Sequence, residues 1–490
     1  MKRKKAFIII ICCFLLSVLL RLPNLNRTIS KHHEFNTAVV LINIESWRQA
    51  GGGSKFHFIP LLNFQNPGDK MANRKYYAVD TAGNAMYISF GPAWYVIPDF
   101  IYQIFSLPVK PIYLQIINLI FNLASVILFF FLLEHLIECN SNSRYLIIVS
   151  ACILFIFSPC TLWYLGNGYI NVGIMMPIVI LLLRIVIPLI HSPEKITTRK
   201  LFLVALLILI LIYFDWFVLV ICAIVGMMLL FKIKKQPAYF RLIFTIAISS
   251  IAGVLLLFLQ FASYAGWNAV TTYWHERFGS RSITNTGSSF PELLRYLIQN
   301  FVTAYLPLLI ILFGTFIRAR SKKIKISFSP PEKLFLTIYS VSVIFYNFIL
   351  FEWSSEHEYS VLPWSILFSY LAAKFLMAAS KKQLGFLLVA FFLMSMSQYY
   401  FINRPGKISR EGTPYIAYKN FGDSLKQVPK DYKIMLNIKQ DPMIEYYAGR
   451  NIATLPDYDS AKRYMQHWGI SKAVWIEHDN FDFKKIIIIK

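Results

Sequence analysis

Tyr87–Phe105 (YISFGPAWYVIPDFIYQIF) is the stretch whose reading sets the topology of the whole chain. It is apolar enough to pass for a membrane span, but it contains Gly91, Pro92, Pro98 and Asp99. Suppose it does not cross. The turns near Arg144, Lys195/Arg199/Lys200, Lys232/Lys234/Lys235/Arg241, Arg318–Lys333 and Lys381/Lys382 then share a side with the N-terminus, and with it they carry 20 basic residues. The short turns left on the other side, at 165–168, around Asp215 and at 353–358, carry no Lys or Arg. If the stretch crosses, every assignment inverts and the cytoplasmic excess of Lys and Arg is lost throughout. It therefore reads as a juxtamembrane or re-entrant helix pair at the outer face. Irregular backbone at that depth needs protein or a wet cavity around it, so a cavity is implied there.

On either side the chain is apolar helix after apolar helix. Of its 490 residues, 57% are hydrophobic and 15% charged, and the mean hydropathy is +0.53. A soluble chain carries about a quarter charged residues. Apolar runs of roughly 17–25 residues, enough to cross hydrocarbon, recur from end to end. Segments 6–22, 111–137, 145–163, 169–190, 200–214, 216–231, 240–261, 301–317, 334–351, 359–379 and 384–402 read as eleven spans. Met1–Lys5 followed by Ala6–Leu22 has the look of a signal peptide. Val18–Pro23 offers no small-x-small cleavage site, so the segment is expected to stay as the first span.

The expected fold is an all-α polytopic membrane protein with about eleven transmembrane helices, the juxtamembrane pair and a small extracytoplasmic α/β domain at the C-terminus. Residues 1–402 form the membrane domain, with a first exterior loop at 23–110 and a second at 263–300. Residues 403–490 form the α/β domain, in which Lys433–Asn437 and Lys472–Ile476 read as strands and Pro442–Ala448 as a helix start. The expected location is the inner (plasma) membrane, with the N-terminus cytoplasmic and the C-terminus outside. The net charge of +24 sits in short clusters between apolar runs, as topology signals do, rather than along one helix face. Nucleic acid is not an expected partner. Cys12, Cys13, Cys139, Cys152, Cys160 and Cys222 lie in or beside spans without metal-ligand spacing, which argues against a disulfide framework and a zinc site.

The polar residues gather at three places. Past the first span, His32, His33 and Glu34 fall together; a carboxylate just outside the bilayer can be desolvated and tuned for proton transfer, although a solvated loop carboxylate is the plainer alternative. In the second loop Trp274, His275, Glu276, Arg277 and Arg281 offer guanidinium forks for phosphate oxygens, or equally for anionic headgroups. The late turn holds Glu356, His357, Glu358 and Tyr359, ahead of Leu362-Pro363. Two carboxylates around an imidazole suit sugar hydroxyls or a divalent ion, but the spacing matches no strong metal motif, so no metal or other cofactor is assigned. Asp215 interrupts about thirty apolar residues; such a residue is a functional suspect, and it also marks a tight turn that a cap would explain.

Taken together these residues resemble the GT-C glycosyltransferases, the polytopic superfamily of protein O-mannosyltransferases and bacterial aminoarabinose transferases. The resemblance rests on His33-Glu34 after the first span and on Ser89–Tyr95 as a small-x-Pro-x-x-aromatic segment. It also rests on Ser158-Pro159, on His357–Pro363, and on the Tyr446–Arg450 element in a C-terminal appendix. It departs from the family pattern where His33 replaces the first acid of a pair. What it implies is inverting transfer of a sugar from a polyprenyl-phosphate donor to a lipid, polysaccharide or protein acceptor. Glu34 would be the general base. His32, His33, Asp80, Arg277, Arg281, His357, Glu358 and Tyr359 would bind substrate, with the two arginines and His357 on the departing lipid phosphate. Two rivals are a transporter or flippase of lipid-linked glycans and a non-catalytic envelope assembly partner. The first calls for inverted repeats and mid-membrane charges.

Overall fold

The computed structural model describes residues 2–29, 33–66, 70, 78–138, 141–234, 236–282, 289–401, 414–437, 442–479 and 482–489. In chain order these form α1 (Arg3–Arg21), α2 (Phe35–Ala50), the two-residue strands β1 (Ala78–Val79) and β2 (Ala85–Met86), and α3 (Ala93–Ile104). There follow α4 (Pro111–Leu136), α5 (Ser141–Phe157), α6 (Pro159–Tyr164), α7 (Asn171–His191), α8 (Thr198–Ile212) and α9 (Phe217–Leu230). Next come α10 (Ala238–Ala265), α11 (Trp267–Arg281), α12 (Phe290–Ser321), α13 (Pro330–Ile349), α14 (Phe351–Glu356), α15 (Trp364–Leu376) and α16 (Lys381–Phe401). The C-terminal part is α17 (Tyr415–Leu425), β3 (Lys433–Leu436), α18 (Pro442–Ala448), β4 (Ile452–Thr454), α19 (Tyr458–Trp468), β5 (Ala473–Asp479) and β6 (Asp482–Ile489).

The chain divides into two compact units. One comprises Met1–Pro23, Gln115–Leu257 and Phe278–Asn403; the other comprises Asn24–Leu114, Phe258–Arg277 and Arg404–Lys490.

The first unit is a helical bundle. Each of the eleven expected spans coincides with a helix: α1, α4, α5, α7, α8, α9, α10, α12, α13, α15 and α16. Among the described residues, seven of these are long and apolar enough to cross a membrane, while α5, α8, α9 and α15 run to 13–17 residues. Burial separates central from peripheral helices. The most apolar window of α7 is 72% buried, whereas that of α10 is 28% buried. On α10 the residues Phe240, Phe244, Ile248, Ile251, Leu255 and Leu259 are exposed at three- and four-residue spacing. In water such a stripe would drive aggregation; in hydrocarbon it is the expected lipid face. The chain is a multi-pass membrane protein. α1 is fastened at its end by Arg21, whose buried guanidinium donates to the Leu162 carbonyl (2.9 Å), the Thr161 carbonyl (3.2 Å) and Ser17 Oγ (2.7 Å). A Cβ at Gly166 would lie 2.6 Å from that side chain, so the close approach requires glycine. The free thiols Cys12, Cys13, Cys152, Cys160 and Cys222 form no disulfide; Cys139 lies outside the described residues.

The second unit holds the stretch on which the topology turned. Within Tyr87–Phe105 the helix is α3, whose 12 residues span about 18 Å, short of the roughly 30 Å of hydrocarbon. It packs against α2. Trp94, Tyr95, Asp99 and Tyr102 are buried, while Phe100, Ile104 and Phe105 are exposed. That is the division of a helix lying flat at an interface.

The remainder of this unit is the C-terminal sheet, in the order β4-β3-β5-β6, with β3 parallel to β4 and β5, and β6 antiparallel to β5. The two-residue period of a strand sends Ile434 and Leu436 to one face and Met435 to the other. The first face packs with α17, α18 and, from the first loop, Ile29 and Ala38. The second packs with Ala461, Tyr464 and Met465 of α19. The strands read from sequence at 433–437 and 472–476 are β3 and β5; β6, in the isoleucine-rich end, is an addition the structure makes.

Candidate active site

Glu34 sits at the N-cap of α2, directly after His33, whose φ of +56° is left-handed and uncommon for a residue with a Cβ. The carboxylate is wholly buried. It makes no side-chain bond to the first turn of its own helix. Instead its two oxygens accept from Nη1 and Nη2 of Arg27, each at 2.9 Å. This is the parallel, two-pronged geometry that a guanidinium alone supplies. Arg27 is itself held: Nε donates to Asn24 Oδ1 at 2.9 Å and Nη1 to the Thr28 carbonyl at 2.6 Å. Its guanidinium lies 3.9 Å from the centre of the Tyr415 ring, a cation–π shelf from the C-terminal segment. One turn of chain away, the Ile29 amide donates to the Tyr447 hydroxyl at 2.9 Å. Burial pushes that phenol's pKa well up, with a further rise from Glu34, so it stays a neutral acceptor. The Tyr446–Arg450 element thus bears on the Glu34 region through Tyr447. Arg450 instead ties its own unit, donating to the carbonyls of Val428 (2.7 Å) and Tyr432 (2.6 Å).

Within the same unit, Asp80 closes the turn between β1 and β2. It accepts from the amides of Ala82 and Asn84, from Asn84 Nδ2 and from the Tyr264 hydroxyl, all at 2.7–2.9 Å. Arg277 donates to the Tyr273 hydroxyl at 3.0 Å, and that hydroxyl also bonds Ser89 of the Ser89–Tyr95 segment at 2.8 Å. His33 faces Phe35, with ring centres 6.2 Å apart. His32 lies outside the described residues.

Arg281, His357, Glu358 and Tyr359 belong to the other unit. The turn carrying the last three is built, not loose. Asn300 donates to the carbonyls of Ser354 and Ser355, Tyr305 to that of Val361, and Tyr339 to that of Pro363. His357 Nδ1 meets the Trp353 carbonyl at 3.0 Å, and its ring clusters with those of Trp353 and Tyr359, 5.8 and 5.2 Å away. Glu358 is 4% exposed. Asp215, in the turn between α8 and α9, accepts from the Phe217 amide at 2.9 Å, from the Tyr346 hydroxyl at 2.7 Å and from Asn171 Nδ2. Burial raises its pKa to about 6, against the pull of its hydrogen bonds and of Arg281. Its bond from the Phe217 amide closes the turn into α9, whose N-cap is Trp216. Among the described residues no three His, Cys, Asp or Glu come close enough to hold a metal ion.

The sequence singled out Glu34, and Tyr447 within the Tyr446–Arg450 element, but neither Arg27 nor Tyr415. Arg27, seven positions ahead of Glu34, was one of eight basic residues in the first loop and did not stand out among them. Tyr415, almost four hundred residues away, carried no signal.

No protein-family model matches the chain, and no curated protein sequence does either. Solved structures match by shape. ArnT from Cupriavidus metallidurans bound to undecaprenyl phosphate superposes with a TM-score of 0.60 at 9% identity, covering 97% of this chain and 94% of its own. The apo oligosaccharyltransferase of Archaeoglobus fulgidus gives 0.59 at 11% identity, covering 97% of this chain and 70% of its own. The AglB oligosaccharyltransferase of the same organism, in complex with an inhibitory peptide and a dolichol-phosphate, gives 0.57 at 12% identity, with 96% and 69% covered. The fold of this chain is therefore the one shared by ArnT and the archaeal oligosaccharyltransferase, both GT-C membrane glycosyltransferases.

Proposed function

We propose that the protein transfers a sugar from a polyprenyl-phosphate donor to an acceptor of the cell envelope, on the extracytoplasmic face of the inner membrane and with inversion at the anomeric carbon. The observation that carries this reading is the Arg27–Glu34 pair: a carboxylate withdrawn completely from water at the mouth of a helix, in a multi-pass membrane protein. The shared fold supports it, because the ArnT and AglB structures hold undecaprenyl phosphate and dolichol-phosphate.

In this mechanism the acceptor hydroxyl attacks the anomeric carbon while Glu34 takes its proton. The bond to the lipid phosphate breaks, and its electron pair leaves on the phosphate. A hydroxyl is a poor nucleophile without a positioned base, which typically contributes about 10²–10⁴ in rate. For Glu34 to serve, one Arg27 N–H bond must yield to the acceptor; the other then keeps the carboxylate aimed. Arg277, Arg281 and His357 are the groups proposed to meet the charge that develops on the phosphate. Asp215 is engaged in hydrogen bonds from Asn171, Tyr346 and the Phe217 amide, which favours this reading over transport.

The test is reconstitution in proteoliposomes with a panel of labelled polyprenyl-phosphate sugars and envelope extract as acceptor source. Release of polyprenyl phosphate with sugar moved to acceptor is the expected result. No release above empty vesicles across the panel would overturn the proposal.

A further inference from the structure

A cleft of about 720 Å³ opens in the second unit between the β1–β2 turn, the end of α19 and the N-terminal ends of β3 and β5. That is within the size range of small-molecule sites, roughly 300–1,000 Å³. Of the groups assigned to sugar transfer, only Asp80 lines it among the described residues. Asp80 is wall there, because its carboxylate accepts four hydrogen bonds that close the turn.

Two features of the lining point to a ligand class. The first is the balance of its polar groups. Lys70, Lys433 and Lys472 line the cleft together with Asp80 and Asp431. Lys472 pairs with Asp431 at 2.8 Å. Lys70 Nζ donates to Asn84 Oδ1 at 2.9 Å, within the field of the Asp80 carboxylate. Lys433 Nζ donates to the Lys70 carbonyl at 3.0 Å. A ligand with a net charge of either sign would meet groups of its own sign beside groups of the other. A neutral ligand whose groups both donate and accept meets no such conflict: ammoniums give to its oxygens, and carboxylates take its protons. Hydroxyls have that dual character, and Thr81 and Ser471 add two more to the lining.

The second is aromatic. Ala461, Tyr464 and Met465 of α19 pack into the core on one face of the sheet. Trp468, one turn beyond Tyr464, continues that stripe but leaves that core. It lines the cleft with its ring centre 6.2 Å from that of Tyr464, and it is 50% exposed. The helix ends there on Gly469 (φ +60°), where a Cβ would meet open space. An open indole beside alternating donors and acceptors suits a pyranose, which has a flat C–H face and a rim of hydroxyls. An apolar ligand would call for an apolar enclosure, whereas charged and hydroxyl-bearing side chains make up more than half of this lining among the described residues.

We propose that this cleft binds a neutral oligosaccharide, and that this saccharide is the acceptor glycan; the acceptor role rests on the transfer reading, whereas the binding does not. The experiment uses the full chain in nanodiscs of zwitterionic lipid, free of sugar-based detergent and without donor. The probes are chitotetraose, cellotetraose, maltotetraose and mannotetraose. An anionic hyaluronan tetrasaccharide and tetraalanine are the controls, and Kd is followed by tryptophan fluorescence and saturation-transfer NMR. At least one neutral probe should bind with a Kd that added salt leaves unchanged. Trp468→Ala should weaken that binding about tenfold, and Trp468→Phe should restore most of it. No binding by any neutral probe, unchanged binding in Trp468→Ala, or tighter binding of hyaluronan or tetraalanine would overturn the site. For the acceptor role, Trp468→Ala in the proteoliposome transfer assay should raise the KM for acceptor about tenfold and leave the KM for donor at its wild-type value. An unchanged KM for acceptor would refute the acceptor role. A protein that binds the probe but transfers no sugar would refute the transfer reading and leave the saccharide site standing.

Discussion

Glu34 and Glu332 are both glutamates at helix N-termini, both buried, and both ion-paired with a base. Their surroundings differ in one respect that separates scaffold from site. Glu332 is the third residue of α13 and closes a capping box: its Oε2 accepts from the Ser329 amide at 2.6 Å while Ser329 Oγ caps in return. Its Oε1 takes Lys374 Nζ at 2.6 Å and the Tyr370 hydroxyl. Each oxygen is committed to its own helix or to a neighbour across the bundle. Glu34 makes no bond to the first turn of the helix it begins. Its oxygens accept the fork of Arg27, which is set on an aromatic shelf. A buried acid that caps is part of the frame; a buried acid that declines to cap is being held for something else.

The comparison breaks first on activity. Glu34→Gln keeps the shape but removes the base, and transfer should fall by about 10²–10⁴; Glu332→Gln should leave the rate per folded molecule within a few-fold. On stability the order reverses. Glu332→Ala strands Lys374 and removes the cap, and should cost about 3–5 kcal/mol in a detergent unfolding assay. Arg27→Lys keeps the charge but loses the fork; a loss of about 1.5–3 kcal/mol and a lower transfer rate are expected, and full activity would show that the two-pronged geometry is dispensable. Arg277→Ala and Arg281→Ala should each raise the apparent KM for donor about tenfold, with normal expression.

The smallest effect concerns Asp215. Its folded pKa is about 6 against an ordinary 3.8, so the folded state holds the proton more tightly. Its contribution favours the folded state below about 3.8 and is lost as pH rises through about 6. Wild type should therefore lose stability relative to Asp215→Asn between those values, and parallel pH curves would contradict the assignment.

Much of this layout was legible in advance because it depends on local character. Hydropathy located eleven apolar segments, each of which is a helix, and the Lys/Arg asymmetry read Tyr87–Phe105 as non-crossing, consistent with the 12 residues of α3. Alternation gave β3 and β5. What was not legible depends on contacts across hundreds of residues. Ile29 and Ala38 fell in the first exterior loop as read from sequence, yet they share a core with Ile434 and Val474. The second loop, read as 263–300, contains α11 and the first turns of α12, because the periodicity of a polar helix is weak beside that of a span. In the site, the chemistry of Glu34 could be named from its neighbours in sequence, but Arg27 and Tyr415 could not be placed beside it, since neither helical nor strand spacing links them.

The most direct measurement is single-turnover sugar transfer by Glu34→Gln and Glu332→Gln side by side, normalised to folded protein. A collapse of transfer confined to Glu34→Gln is the predicted result. Transfer by Glu34→Gln at the wild-type rate, or an equal loss in both variants, would contradict the distinction drawn between the two acids.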